Sequence, residues 1–479
     1  MPEPLVSNID LSKDIKSEIR EQIRTGMSDS SVPSLTLSVA QGDRIIWEEA
    51  FGWADLESRT PATPKTPYSL ASITKPITAT GLMILVERGL IHLDRPTNDY
   101  LGDSKLKARI GYAEDATVRR LANHTCGLPT HYHFFFEDEP YTPPPMDETI
   151  RRYGHLVNPP GETYRYANMG FGILDHIITL VSDKPYAQFI REEVFEPLGM
   201  NRSSIGSPQA LPRHHATRYT EDCSPIPFYD FDHPGASAAF CSAHDLIRFG
   251  MFHLNAHLSD QKPILSDATI DQMQVPTAEI DSRKGYGIGW FVQQGPGGHR
   301  IVKHGGNMGG VRTCLYLVPD LSVAVTVLIN ANNELPIRIA DEILSALLSD
   351  YPQQASISSR SDANLDPPPD LLGTWKGTIE TYSGSIPLTL DIRSEGGIQS
   401  VVGTHIRADV TDLTFSAETL TGSMPGDIGT DDAAKLPYKL DLNLKHRGQF
   451  LNGSVTAISL PHPRFGNALS HWVELERQP

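Results

Sequence analysis

Near the start of the chain Leu35, Leu37 and Val39 alternate with polar or small residues. Gln41-Gly42-Asp43 then offers a turn, and Ile45 and Trp47 resume the alternation. Period-two hydrophobicity on both sides of such a turn predicts a β-hairpin. Further on, Ile77, Leu82, Ile84, Leu85 and Leu90 predict a buried helix following Ser72. Three strand-like runs come later: YGIGWFV (286–292), VRTCLYLV (311–318) and LSVAVTVLI (321–329). A closing helix over roughly 335–349 follows from Ile337, Ile339, Ile343 and Leu347. Strands at both ends of a long helical middle imply a sheet whose early and late strands pair across the domain.

The pattern breaks near residues 350–372, where DYPQQASISSRSDANLDPPPDLLG is rich in Ser, Asp and Pro and has no periodicity. Such a stretch has little to bury, and its prolines favour extended backbone. Beyond it Ile386, Leu388, Leu390 and Ile392 alternate, as do Leu440, Leu442 and Leu444, with shorter runs at 401–406, 412–416, 454–460 and 472–476. Gly-containing turns between short strands are the pattern of a barrel or sandwich. The predicted organisation is a mixed α/β domain over 1–350, a linker over 351–370 and an all-β domain over 371–479. No internal repeat is visible.

Composition narrows the function. With 39% hydrophobic and 21% charged residues in 479, the chain reads as globular rather than disordered. A formal charge of −17 repels phosphate backbones, so nucleic acid is not an expected partner. No window approaches the roughly 18 uninterrupted apolar residues of a membrane-spanning helix. The N-terminal MPEPLVSNIDLSKDIKSEIR lacks the apolar core of a signal peptide, and the expected compartment is the cytoplasm. Cys126, Cys223, Cys241 and Cys314 are scattered without a CxxC pair, which argues against a disulfide framework or zinc site.

Three stretches carry candidate chemistry. In Ser72-Ile73-Thr74-Lys75-Pro76, a serine and a lysine three apart share one face of a helix start, and Pro76 is tolerated only near such a start. A helix N-terminus favours negative charge developing on the serine oxygen, and a lysine shielded from water can take its proton. Alone, S-x-x-K is a weak signal, and the plainer reading is an N-capping serine beside an exposed lysine. Tyr166-Ala167-Asn168 places a phenol that can move a proton and an amide that can face both Lys75 and a substrate carbonyl. The plainer reading is a buried tyrosine and a capping asparagine. The third stretch, His304-Gly305-Gly306-Asn307, precedes a strong strand; its glycines let a substrate backbone approach. A glycine-rich turn is the plainer alternative. His131-x-His133 with Glu137 and Asp138 nearby is the best case for a metal, but two alternate histidines on a loop are weak grounds, and neither metal nor cofactor is expected.

The order and spacing of the three motifs resemble the signature of the β-lactamase and penicillin-binding-protein superfamily. LANHTCGLP (121–129), LDRPTNDYL (93–101), FEPLGM (195–200), CSAHDLIRFG (241–250) and YGIGW (286–290) resemble its class C β-lactamase-like branch over roughly residues 15–350. The segment opening with LLGTWKGTI (371–379) is similar to lipocalin-like barrels appended to some peptidases of that branch. The resemblance implies an antiparallel sheet flanked by helices, an all-helical subdomain and a C-terminal barrel. It also implies Ser72 as nucleophile, Lys75 as proton acceptor with Tyr166 sharing that role, and Asn168 orienting the substrate. The oxyanion would be held by the backbone N–H groups of Ser72 and Asn307, with His304, Gly305 and Gly306 lining the substrate site.

One departure matters. The superfamily's usual Lys-Thr-Gly third motif is His304-Gly305-Gly306 here, exchanging a permanent cation for a mostly neutral imidazole. The adjacent Lys303 cannot simply replace it, because neighbouring strand residues face opposite sides. The expectation is therefore a serine hydrolase acting on an ester, amide or peptide bond, with β-lactam hydrolysis at most minor. An acyltransferase on the same residues, or a sensor acylated without turnover, are the alternatives. HYHFFFEDEPYTPPP (131–145) is expected either to rim the site or to pack as core. The appended barrel makes a homo-oligomer an expectation as well.

Overall fold

The computed structural model describes residues 11–206, 215–348, 367–394, 397–404, 407–416, 418–462 and 464–479. The linker expected over 351–370 lies mostly outside them. The chain forms two compact units: 1–94 with 135–142 and 171–355, and 95–134 with 143–170 and 356–479.

The first unit is built on an antiparallel sheet of nine described strands. From edge to edge these are Ala278–Asp281, Lys284–Tyr286, Phe291–Gln294, Arg300–Met308, Val311–Val318, Val323–Ile329, Ser34–Gln41, Arg44–Asp55 and Thr60–Pro61. The predicted pairing of early and late strands is present, with Leu37 opposite Val327. The runs that close the sheet are almost unbroken in hydrophobicity because both their faces are covered. Cys314, Tyr316 and Val318 join Leu35, Leu37 and Val39 in a core with Ile19 and Ile23 of the helix Lys13–Asp29 and Ile339 and Ile343 of the helix Leu335–Leu347. Leu315 and Leu317 point the other way, against Gly250 of the helix Ala243–Phe252.

Two details differ from the expectation. The run 286–292 is two strands, not one: Gly289 turns the chain at φ +79°, where a Cβ would lie 2.6 Å from the Ala79 Cβ. The helix after Ser72 ends at Glu87, Gly89 takes a left-handed φ of +71°, and Leu90 is left 51% exposed.

The second unit holds the C-terminal β-structure, a nearly closed barrel of nine described strands. Their order is Ala408–Asp409, Gly397–Val402, Gly384–Arg393, Gly373–Thr381, Ala468–Arg477, Phe450–Ser459, Tyr438–Arg447, Thr419–Met424 and Thr411–Ser416. Trp375, Leu390, Leu442, Leu444 and Val455 are among the buried side chains of this barrel, and the Trp375 indole N–H donates to the Leu371 carbonyl at 2.8 Å. The 95–134 and 143–170 segments pack with it, including the helix Met146–Tyr153. No described helix of the chain is long and apolar enough to cross a membrane.

Buried histidines set the response to acid. Burial holds His155 and His471 down to about 4, and His253 and His304 down to about 3. Their folded values lie below the ordinary 6.5, so the unfolded chain binds more protons once the pH falls beneath that value. Their contribution is complete above pH 6.5 and is lost as pH drops towards 3–4, at about 1.4 kcal/mol per histidine per pH unit. His253→Gln should flatten the slope of unfolding free energy against pH between about 6.5 and 4.5 by that amount. Urea titrations of both proteins across this window check it.

Candidate active site

A single turn of 3₁₀ helix, Ala71–Ile73, runs directly into the helix Thr74–Glu87, and Pro76 stands at the third position of the latter. Ala71 adopts φ +49°, a left-handed conformation unusual for a residue with a Cβ, immediately before Ser72. The Thr74 hydroxyl donates to the Ala71 carbonyl at 2.7 Å and accepts from the Ala239 N–H at 3.0 Å, fixing this turn against the strand Ala239–Ser242.

Lys75 is fully buried, and its Nζ lies 3.1 Å from Ser72 Oγ and 3.1 Å from the Ala236 carbonyl oxygen. Burial pushes the ammonium well below the usual lysine range. The arrangement is a serine hydroxyl facing an amine that gains little from being charged.

The Ala236 carbonyl is held from behind. The Gly235 N–H donates to Asp175 Oδ2 at 2.6 Å, and the Gly235 carbonyl accepts from the Thr78 hydroxyl at 2.6 Å, which also meets Tyr186 OH. A Cβ on Gly235 would lie 2.6 Å from the Phe171 carbonyl oxygen. Burial, with Asp232 nearby, raises the Asp175 carboxyl well above its usual range. Asp175→Asn keeps an acceptor for the Gly235 N–H and should leave kcat within about threefold, whereas Asp175→Leu releases that peptide and should lower kcat about tenfold or more. Steady-state kinetics on the two variants separate these outcomes.

The strand Arg300–Met308 runs beside Leu70 and Ala71. A Cβ on Gly306 would sit 2.1 Å from the Leu70 carbonyl oxygen and 3.0 Å from the Ala71 Cβ, so glycine is what allows the third motif to approach the serine's turn. His304 is 1% exposed; its Nε2 lies 3.0 Å from Tyr286 OH and its Nδ1 2.9 Å from the Gly305 carbonyl oxygen. Nδ1–H therefore donates to Gly305 and Nε2 accepts from Tyr286. Burial keeps the ring neutral, its pKa held down to about 3, and whenever Lys75 does carry a proton it pushes the same way. Asn307 is exposed at the end of this strand. Lys303 lies over the Tyr316 ring, 5.0 Å from its centroid.

Ser72, Lys75, His304, Gly305, Gly306 and Asn307 all belong to the first unit, while Tyr166 and Asn168 belong to the second. There the His124 ring lies 4.3 Å from that of Tyr166. His124 Nδ1 accepts from the Ala167 N–H at 3.2 Å, and its carbonyl accepts from the Arg165 N–H at 2.8 Å. His124 has φ +63°. Asn168 opens the helix Asn168–Ser182.

Sequence reading missed Asp175, Thr78 and Gly235, whose partners are distant in sequence. It quoted His124 and Tyr286 only within flanking text. Phe134, Phe135 and Phe136, for which a rim or core packing stood open, are all buried; Phe136 packs on Tyr229 with ring centroids 5.3 Å apart. His131 and His133 are buried too, His131 against the Tyr153 ring at 4.7 Å and His133 Nε2 3.4 Å from Lys435 Nζ.

Residues 19–349 match the family model described as Beta-lactamase. The chain belongs to the β-lactamase family. This β-lactamase-family protein is 25% identical over 350 residues to Penicillin-binding protein 4* of Bacillus subtilis (strain 168), covering 67% of this chain and 74% of the relative. Two solved structures share the fold. The octameric penicillin-binding protein homologue from Pyrococcus abyssi has a TM-score of 0.62 at 22% identity, covering 96% of this chain and 100% of that one. The class C β-lactamase from Rhodobacter sphaeroides has a TM-score of 0.58 at 21% identity, covering 70% and 99%. Family membership places the chain on a serine-hydrolase scaffold of the acyl-enzyme kind.

Proposed function

We propose that this protein hydrolyses an ester or amide bond through an acyl-enzyme on Ser72. The observation that carries the reading is the fully buried Lys75 amine 3.1 Å from Ser72 Oγ. Ser72 Oγ attacks the substrate carbonyl carbon as its proton passes to Lys75 Nζ. The backbone N–H groups of Ser72 and Asn307 receive the oxyanion. Collapse breaks the bond to the leaving alcohol or amine, which takes up a proton through Lys75 and Tyr166 while Asn168 orients the acyl group. Water then attacks the acyl carbon, Ser72 regains its proton and a carboxylic acid leaves.

The third motif supports a neutral ligand over a penicillin. Its His304 is buried and uncharged, so this motif offers no permanent cation to a substrate carboxylate. Esters and amides, including peptide bonds, are the favoured substrates. Comparing turnover of a p-nitrophenyl ester, an amino-acid p-nitroanilide and a penicillin, with Ser72→Ala as control, tests this. Release from the first two that the variant lacks is the expected result, and penicillin turned over fastest would overturn the substrate assignment. Repeating the assay with added amine or alcohol distinguishes hydrolysis from acyl transfer by the products. The octameric homologue from Pyrococcus abyssi, which spans nearly the whole chain, supports a homo-oligomer, and light scattering on the purified protein measures it.

A further inference from the structure

The strand Phe450–Ser459 is hidden on both faces. Its inward residues Leu451 and Val455 belong to the barrel core. On the opposite face Asn452, Ser454 and Thr456, with Ser470 on the next strand, are polar and yet only 4%, 0%, 5% and 3% exposed. Polar residues on an outer strand face ordinarily meet water. Here the 95–134 and 143–170 segments of the same unit lie against this face. Ser470 Oγ donates to the Thr130 carbonyl at 2.6 Å, Tyr132 and Ala468 exchange backbone hydrogen bonds at 3.0 and 2.9 Å, and the Phe134 N–H donates to Asn467 Oδ1 at 2.9 Å.

The same face reaches the stretch that carries Tyr166. The Glu162 carboxylate accepts from Lys445 Nζ at 2.5 Å and from the Arg447 guanidinium at 3.0 Å. Arg165 donates to Ser454 Oγ at 2.9 Å, and desolvation there lowers its pKa to about 10. A half-exposed ion pair contributes little stability alone. Two anchors at 162 and 165, with His124 gripping the backbone at 165 and 167, define where a phenol at 166 can stand.

We propose that the C-terminal barrel is a positioning device acting within its own chain, holding the Tyr166 phenol in register through Glu162 and Arg165. This rests on the reading of the chain as a Ser72 hydrolase that uses Tyr166. Proton transfer is sensitive to placement, and a displacement of about 1 Å can cost up to about 100-fold in rate.

Ester hydrolysis by the full-length protein tests the proposal. Lys445→Glu/Arg447→Glu should lower kcat about tenfold or more while leaving KM within about threefold. Adding Glu162→Lys, which restores opposite charges across the contact, should recover kcat to within about threefold of wild type. In a Tyr166→Phe background the double substitution should cost nothing further, because the group it displaces is gone. Ser454→Val, which removes the Arg165 acceptor, should act in the same direction. Unchanged kcat in Lys445→Glu/Arg447→Glu overturns the proposal, as does a loss that Glu162→Lys does not repair or that is equal in both backgrounds. If Tyr166→Phe itself keeps full kcat, the proposal falls while Ser72 chemistry stands. If Ser72→Ala keeps activity, it is the underlying hydrolase reading that fails.

Discussion

Lys75→Met should lower ester hydrolysis about 1,000-fold and at the same time raise the unfolding temperature by several degrees. The two effects have one origin. Lys75 is fully buried, and removal from water pushes its pKa well below the usual 10.5. In the unfolded chain the amine holds its proton until the pH nears that ordinary value, so folding at neutral pH works against its protonation. A thioether of similar length removes this penalty and packs in the same space beside the Phe171 ring, whose centroid is 5.7 Å from Nζ. The proposed catalysis draws on the same property, since an amine disfavoured from carrying charge, 3.1 Å from Ser72 Oγ, is placed to take the hydroxyl proton. The rate should therefore rise with pH along a limb set by Lys75, centred well below 10.5, and that limb should vanish in the variant. Lys75→Arg should fail as well, since a guanidinium does not deprotonate. Thermal melts with pH–rate profiles check the prediction; a variant both inactive and less stable would contradict the burial argument.

Gly306→Ala should prove nearly as damaging, although it adds one methyl group. The new Cβ would fall 2.1 Å from the Leu70 carbonyl oxygen and 2.2 Å from Thr313 Oγ1. Those two atoms are already joined, Thr313 Oγ1 donating to Leu70 O at 2.9 Å. The strand must move away from the turn carrying Ser72 or the turn must unwind, and Ala71 at φ +49° has little latitude. A loss of about 1–3 kcal/mol of stability and about 100-fold in kcat is expected. At Gly305 the nearest atom to an added Cβ is the Thr313 carbonyl oxygen at 3.4 Å, an ordinary contact. Gly305→Ala should therefore stay within about 0.5 kcal/mol of wild-type stability. Urea unfolding of the two variants, with kcat for Gly306→Ala, measures the contrast.

How far the sequence reached follows from how local each signal is. The strands Val311–Val318 and Val323–Ile329 were legible because a sheet covered on both faces writes continuous apolar runs. Ser72 and Lys75 were legible because three residues along a helix start bring two side chains to one face. The run 286–292 misled because apolar residues continue through a turn whose local signs are Gly287 and Gly289. Asp175 left no trace, since it binds the N–H of Gly235, sixty residues away, and backbone groups carry no side-chain signature. The barrel's outer face was equally silent. Asn452, Ser454 and Thr456 alternate with apolar residues as a solvated strand would, and only the chain packed over them shows otherwise.

The proposed chemistry passes through a covalent intermediate at Ser72. Rapidly quenched p-nitrophenyl ester reactions, followed by mass spectrometry of the intact protein and its peptides, test that most directly. The expected result is a transient mass increase equal to the acyl group, on the peptide containing Ser72 and absent from Ser72→Ala. Turnover with no adduct at any quench time, or an adduct that persists in Ser72→Ala, would contradict it.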